Sequence, residues 1–306
     1  VELITDVAFD STYPERELAK EREVIVDEIN TYKDSPSDMI FDTFEDMIFE
    51  GSELGHNILG TKAALARHGT DSIRRFTGRT YTTDQMVFSS IGNFSVTTAR
   101  DTAARYLAER HTPTRSFERA VPAVTPAFEK VLNKHTHQVH CIVGARAYDI
   151  NDERRVPLSL LVNILGGPSA NSLLNVLLRE KNGLSYNIEA SYSPYNDCGF
   201  VAIYFSSEHD NADQCRELIA RQIDLMRRET LSARRLSMAK KQFLAQMAIS
   251  MENNESYMLG AGKSLLMHDD IDTLEEVYRK VAAVTAQQIT DVANEIFSST
   301  SMLMYK

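Results

Sequence analysis

Residues 14–39, PERELAKEREVIVDEINTYKDSPSDM, can be laid without a gap on the stretch that begins at Ser232, SARRLSMAKKQFLAQMAISMENNESYM. Leu18 then falls on Leu236, Val24 on Gln242, Ile25 on Phe243 and Ile29 on Met247. Each copy reads as a helix with an apolar stripe, and each breaks in a polar patch, DSPSD in the first and ENNES in the second. A second echo follows: DSIRRFTGRTYTTDQMVF and QQITDVANEIFSSTSMLMY share the interval from Ile73 to Met86 and from Ile289 to Met302. Both read as a short helix, a turn and a strand. A repeat of this length means two homologous halves.

The second copy has more in front of it than the first. A strand, HQVHCIVGARAY, leads into a helix from about Val156 and the turn LGGPSANS. A helix NVLLREKN, the hairpin YNIEASYSPYNDCGFVAIYFSS and a helix ending near Arg228 come next. The first copy has only a short lead, so the strand, helix and hairpin that open the other half are expected upstream of Val1, and the first half is expected to be truncated. Between the halves, TPTRSFERAVPAVTPAFEK carries three prolines that exclude a regular helix. The division expected is 1–111, a linker over 112–127, and 128–306. Helices mixed with hairpin strands imply an α+β fold, mostly antiparallel sheets with helices packed on one face.

The chain of 306 residues is long enough for two cores. A formal charge of -10 with scattered Lys and Arg offers no footprint for nucleic acid, and no apolar run suits a membrane span. Three widely spaced cysteines without a CxxC point to neither a disulfide framework nor a cysteine zinc knuckle, and a reducing, cytoplasmic setting is the default.

Glu21 and Glu28 lie on the same stripe as Val24, Ile25 and Ile29, where a core-facing helix normally carries no carboxylate. The helix rises about 10 Å between them, so a single metal ion cannot hold both. In the second copy Ala239 and Gln246 take their places, and neither supplies an anionic ligand. HTHQVH places His135 and His137 on one strand face and His140 on the other, with no carboxylate or cysteine at a useful ligand spacing; a solvated strand start is expected there.

EREVIVDEINTYKDSPSDMIFDTFEDMIF with GSELGHNILGTKAAL, and LVNILGGPSANSLLNVLLREKNGLSYNIEASY later, closely resemble segments of the insulinase or M16 family of zinc metallopeptidases. That family includes bacterial zinc proteases and mitochondrial processing peptidase. The resemblance implies a zinc endopeptidase of peptides or unfolded proteins, with two histidines and the general base supplied by an HxxEH motif. It puts the third zinc ligand on Glu28 and a supporting carboxylate on Glu21. It also implies that Arg179 and Tyr186 hydrogen-bond an extended substrate, and that Gly166 and Gly167 lie in a glycine loop beside it. No GK[ST] follows Gly167, so a phosphate loop is not indicated.

HxxEH is absent from the 306 residues, so no catalytic residue is assigned within the chain. Without the motif the chain is expected to bind zinc weakly or not at all, and to hydrolyse nothing by itself. Its partners are then a peptide or unfolded protein, and a second copy or a related subunit. The competing expectations are a non-catalytic M16-like scaffold subunit and a plain peptide-binding module.

Overall fold

The computed structural model describes residues 1–110, 112, 114 and 120–306. Part of the 112–127 stretch read as a linker therefore lies outside the described residues. The chain divides into two compact units. The first comprises Val1–Thr31, Leu59–Arg119 and Ala248–Asp272; the second comprises Tyr32–Ile58, Ala120–Met247 and Thr273–Lys306.

The first unit is built from helices α1 (Glu2–Phe9), most of α2 (Glu15–Lys33), α4 (Lys62–Leu65), α5 (Thr70–Thr80), α6 (Val96–Leu107) and α10 (Asn254–His268). Their starts are written locally. Thr61, Ser95 and Asn253 each accept a hydrogen bond from a first-turn amide, satisfying a donor the helix cannot use itself. Glu15 ties α2 to α5: it accepts from the Thr70 hydroxyl at 2.9 Å and from Arg22 at 2.8 Å, and Arg22 also donates to the His68 carbonyl.

Two expectations fail in this unit. The stripe on α2 is covered only at Ile29, while Val24 is 50% exposed. No strand forms at Met86–Phe88 either; a single 3-10 turn, Thr83–Gln85, precedes an extended segment. The causes are linked. An extended segment becomes a strand only when a neighbour completes its hydrogen-bond ladder, and a helix stripe is buried only against a second layer. Among the described residues, this unit contains no strand.

The second unit holds one five-stranded sheet in the order β1-β5-β2-β4-β3. Its strands are β1 (Glu129–Leu132), β2 (Val139–Ala147), β3 (Ser185–Pro194), β4 (Gly199–Ser207) and β5 (Ser301–Tyr305). β1 and β5 pair in parallel, and the other pairs are antiparallel. Strand β4 is buried along its whole length, and its side chains alternate between two cores. Val201, Ile203 and Phe205 meet one core, where α7 (Arg155–Gly166), α8 (Ala212–Arg228) and α12 (Ala286–Ile296) pack. Phe200, Ala202 and Tyr204 meet the other. That alternation is the two-residue period of a strand buried on both faces.

The α+β class and the mostly antiparallel sheet stand as expected, but helices cover both faces of this sheet instead of one. The opposite face is filled by α3 (Pro36–Ile48), a helix whose sequence belongs to the first copy. Pro36 occupies its first turn, where a missing amide hydrogen costs nothing, and so the DSPSD patch turns the chain between α2 and α3. Ile40, Phe44, Ile48 and Phe49 are buried on this face, each worth roughly 2 kcal/mol. Gly144 of β2 makes room for the Phe44 ring: a Cβ there would lie 2.7 Å from Phe44 Cζ and 2.3 Å from the Val201 carbonyl. Helices α9 (Ala233–Met251) and α11 (Leu274–Ala283) complete the order, α9 breaking before Asn253 at the ENNES patch.

Candidate functional site

Between α7 and β3 the chain runs through Gly166–Ser169 and then a seven-residue π-helix, Asn175–Lys181. An i→i+5 turn is a costly local arrangement that recurs at functional positions. Side-chain amides flank it: Asn175 donates to the Ala170 carbonyl at 2.9 Å, and Asn182 to the Leu177 carbonyl at 2.7 Å. Gly183 follows at φ 59°, a left-handed conformation that glycine adopts freely. Its amide donates to the Arg179 carbonyl (3.0 Å) and that of Leu184 to the Leu178 carbonyl (2.8 Å), reversing the chain into β3.

Strand β3 opens with a bulge. Ser185 pairs with Ser207 and Asn187 with Ser206, leaving Tyr186 as the extra residue. The Ser185 hydroxyl pins it by facing the Ser206 and Asn187 carbonyls at 2.7 and 2.9 Å. A bulge re-aims a side chain, and Tyr186 is 77% exposed. Because β3 is an outer strand, its far side is unpaired within the sheet.

These features converge. Gly166, Gly167, Arg179 and Tyr186 line one cavity of about 330 Å³, together with Ser169 and Glu189. The ion pair of Arg179, Nε to Glu180 Oε1 at 3.8 Å, is long and exposed, which leaves most of the guanidinium fork available. Cation, phenol, carboxylate and strand-edge main chain in one open cleft match the needs of an extended peptide. The glycines also have a packing reason: a Cβ on Gly166 would lie 2.7 Å from the Ala190 amide, and one on Gly167 2.6 Å from Asn163 Nδ2. Ser169, Asn175 and Glu189 were not singled out in the sequence. The Asn182-Gly183 pair was the available signal that the π-helix doubles back onto β3.

Glu21 and Glu28 sit on α2 in the first unit, both exposed, with no hydrogen-bond or ion-pair partner among the described residues. Their stripe position therefore does not bury them. Among the described residues no group of three His, Cys, Asp or Glu side chains is close enough to hold a metal ion. The donors present do not make a zinc site on their own.

The histidine cluster is solvated as expected at His135 and His137, but the strand begins later than its spacing suggests. β2 starts only at Val139, so His135 and His137 precede it, His135 in a left-handed turn at φ 53°. His140 is on the strand, its Nδ1 2.8 Å from the Tyr204 hydroxyl, and burial depresses its basicity. No helix of the described residues is long and apolar enough to cross a membrane.

The family model described as the peptidase M16 inactive domain matches residues 70–243. An uncharacterized zinc protease of Bacillus subtilis is 30% identical over 304 residues, covering 97% of this chain and 72% of the relative. One from Rickettsia bellii is 29% identical over 304 residues, covering 98% and 72%. Among solved structures, the peptidase M16 inactive domain from Pseudomonas fluorescens matches with a TM-score of 0.88 at 17% identity, over 99% of this chain and 73% of that one. A chain of complex III2 from Candida albicans matches with a TM-score of 0.84 at 12% identity, over 99% and 75%. The two-faced sheet and its flanking helices are thus a shared fold, and the sequence match adds the lineage: the chain belongs to the peptidase M16 family.

Proposed function

We propose that this chain is the peptide-holding part of a zinc metalloendopeptidase acting on peptides or unfolded proteins. In this reading, Arg179 and Tyr186 grip an extended substrate, with the Gly166–Gly167 loop as one wall. The convergence of these four residues on a single cleft carries the proposal. Arg179 donates to substrate carbonyls, and Tyr186 donates or accepts through its hydroxyl. Hydrolysis requires an HxxEH-bearing segment beyond these 306 residues, in the same polypeptide or in a partner subunit. Glu28 then contributes one carboxylate arm to the zinc, and Glu21 supports it.

A second reading is a non-catalytic subunit that pairs with an active relative or a second copy, in which the exposed Glu21 and Glu28 bind no metal. Supplying an HxxEH-bearing segment, joined to the chain or on a partner subunit, distinguishes the two: under the first reading activity appears and Glu28→Gln abolishes it; under the second, Glu28→Gln leaves any activity unchanged.

Fluorescence anisotropy with a labelled unstructured peptide tests the cleft itself. Saturable binding indifferent to a chelator is expected, weakened about tenfold or more by Arg179→Ala, as loss of charge-assisted hydrogen bonds implies. Unchanged affinity in Arg179→Ala and Tyr186→Phe rejects the proposal.

A further inference from the structure

Helix α9 carries two glutamines one turn apart, and both reach the loop that walls the cleft. Gln246 donates from Nε2 to Ser169 Oγ at 2.6 Å, while its Oε1 accepts from Asn163 Nδ2 at 2.8 Å. Gln242 Oε1 accepts from Asn171 Nδ2 at 2.8 Å. Asn163 stands in the last turn of α7, Ser169 within the loop and Asn171 just after it. The loop is therefore stitched to α9 before, within and after its bend. Asn163, Asn171 and Gln242 also line a second cavity of about 760 Å³, so open space rather than packed side chains adjoins these amides. Gly166 and Gly167 pack closely on Ala190 and Asn163, but on the side of this cavity the loop is held by hydrogen bonds to α9.

We infer that Gln246, supported by Gln242, is a positioning residue that fixes the Gly166–Ser169 wall of the cleft; this rests on reading the cleft as a peptide site. The internal repeat sets Gln246 on Glu28. A half-buried amide donates and accepts at once without a charge to desolvate, which a carboxylate cannot do. The position that carries an acid in one half thus serves as a neutral clamp in the other.

The test uses the 306-residue chain with Gln246→Leu and Gln246→Glu, a labelled unstructured peptide, and hydrogen exchange at the loop amides of Gly167 and Ser172, which donate to the Asn163 and Ser169 carbonyls. Gln246→Leu removes both bonds, so exchange at the loop accelerates and peptide Kd rises about tenfold. Gln246→Glu is intermediate: it keeps the Asn163 bond and the Ser169 hydroxyl can rotate to donate to the carboxylate, but a half-buried charge offsets part of the gain. Wild-type loop exchange in Gln246→Leu overturns the inference. Accelerated exchange with unchanged peptide affinity overturns it too, provided Arg179→Ala weakens binding. Should Arg179→Ala and Tyr186→Phe both bind as wild type, the cleft reading has failed, and loop exchange alone then decides the clamp.

Discussion

Phe44→Ala asks whether α3, written in the first repeat, is an integral part of the second sheet. The Phe44 ring is fully buried, with ring centroids 5.6 Å from Phe128 and 6.3 Å from Phe200. It rests over Gly144, against strand backbone that is fixed on both sides by β4 and β5 and cannot collapse into a void. Truncation should therefore cost the upper part of the usual Phe-to-Ala range, about 4 kcal/mol. That is a large share of the roughly 5–15 kcal/mol that stabilises a domain. Urea unfolding followed by far-ultraviolet circular dichroism and tyrosine fluorescence measures it, the chain having no tryptophan. Phe76→Ala, at a residue 53% exposed, is the control and should stay within about 0.5 kcal/mol of wild type. A loss below about 1 kcal/mol for Phe44→Ala would mean that α3 does not cover the sheet, and the two-core description would fall.

Other outcomes are expected. Hydrogen bonds from Arg22 and Thr70 hold the Glu15 carboxyl at about 2, so the α2–α5 tie is complete above the ordinary carboxylate range and weakens only as pH falls through that value. Carbon-detected NMR titration checks this, and a midpoint near 4.5 would contradict it. Zinc should not raise the melting temperature, since one exposed carboxylate gives the folded state little extra affinity; a saturable rise would reveal another site. Cys141, Cys198 and Cys215 are buried, with burial pushing Cys198 up to about 11, so a thiol reagent should label none quickly before unfolding. Rapid labelling of the native chain would contradict the burial pattern.

Much of the second unit could be read from the sequence, because its elements are announced by local signals. Hairpin β3–β4, helix α8 and the break at DSPSD follow from turn residues, caps and apolar period, as does the break at ENNES in the first unit. What escaped was non-local. Nothing near Ile40 and Phe44 says that their face meets a sheet whose β2 strand begins only at Val139. Conversely, Met86–Phe88 has strand composition but no partner among the described residues of its unit, and composition alone does not make a ladder. Gly166, Gly167, Arg179 and Tyr186, which the family resemblance singles out, do line one cavity, but its geometry was not legible in the sequence. The π-helix under Arg179 and the bulge at Tyr186 depend on register and on carbonyl partners that spacing does not encode. Glu21 and Glu28 looked interior because helix period places them beside Ile25 and Ile29; period names a face, and only a second layer buries it.

The most direct test of the peptide-holding claim is cross-linking with an unstructured peptide that carries a photoreactive benzophenone. Adducts should concentrate on the π-helix around Arg179 and the start of β3 around Tyr186, and should disappear when unlabelled peptide is in excess. Adducts spread over the surface, or gathered on the first unit with none near Arg179 and Tyr186, would contradict it.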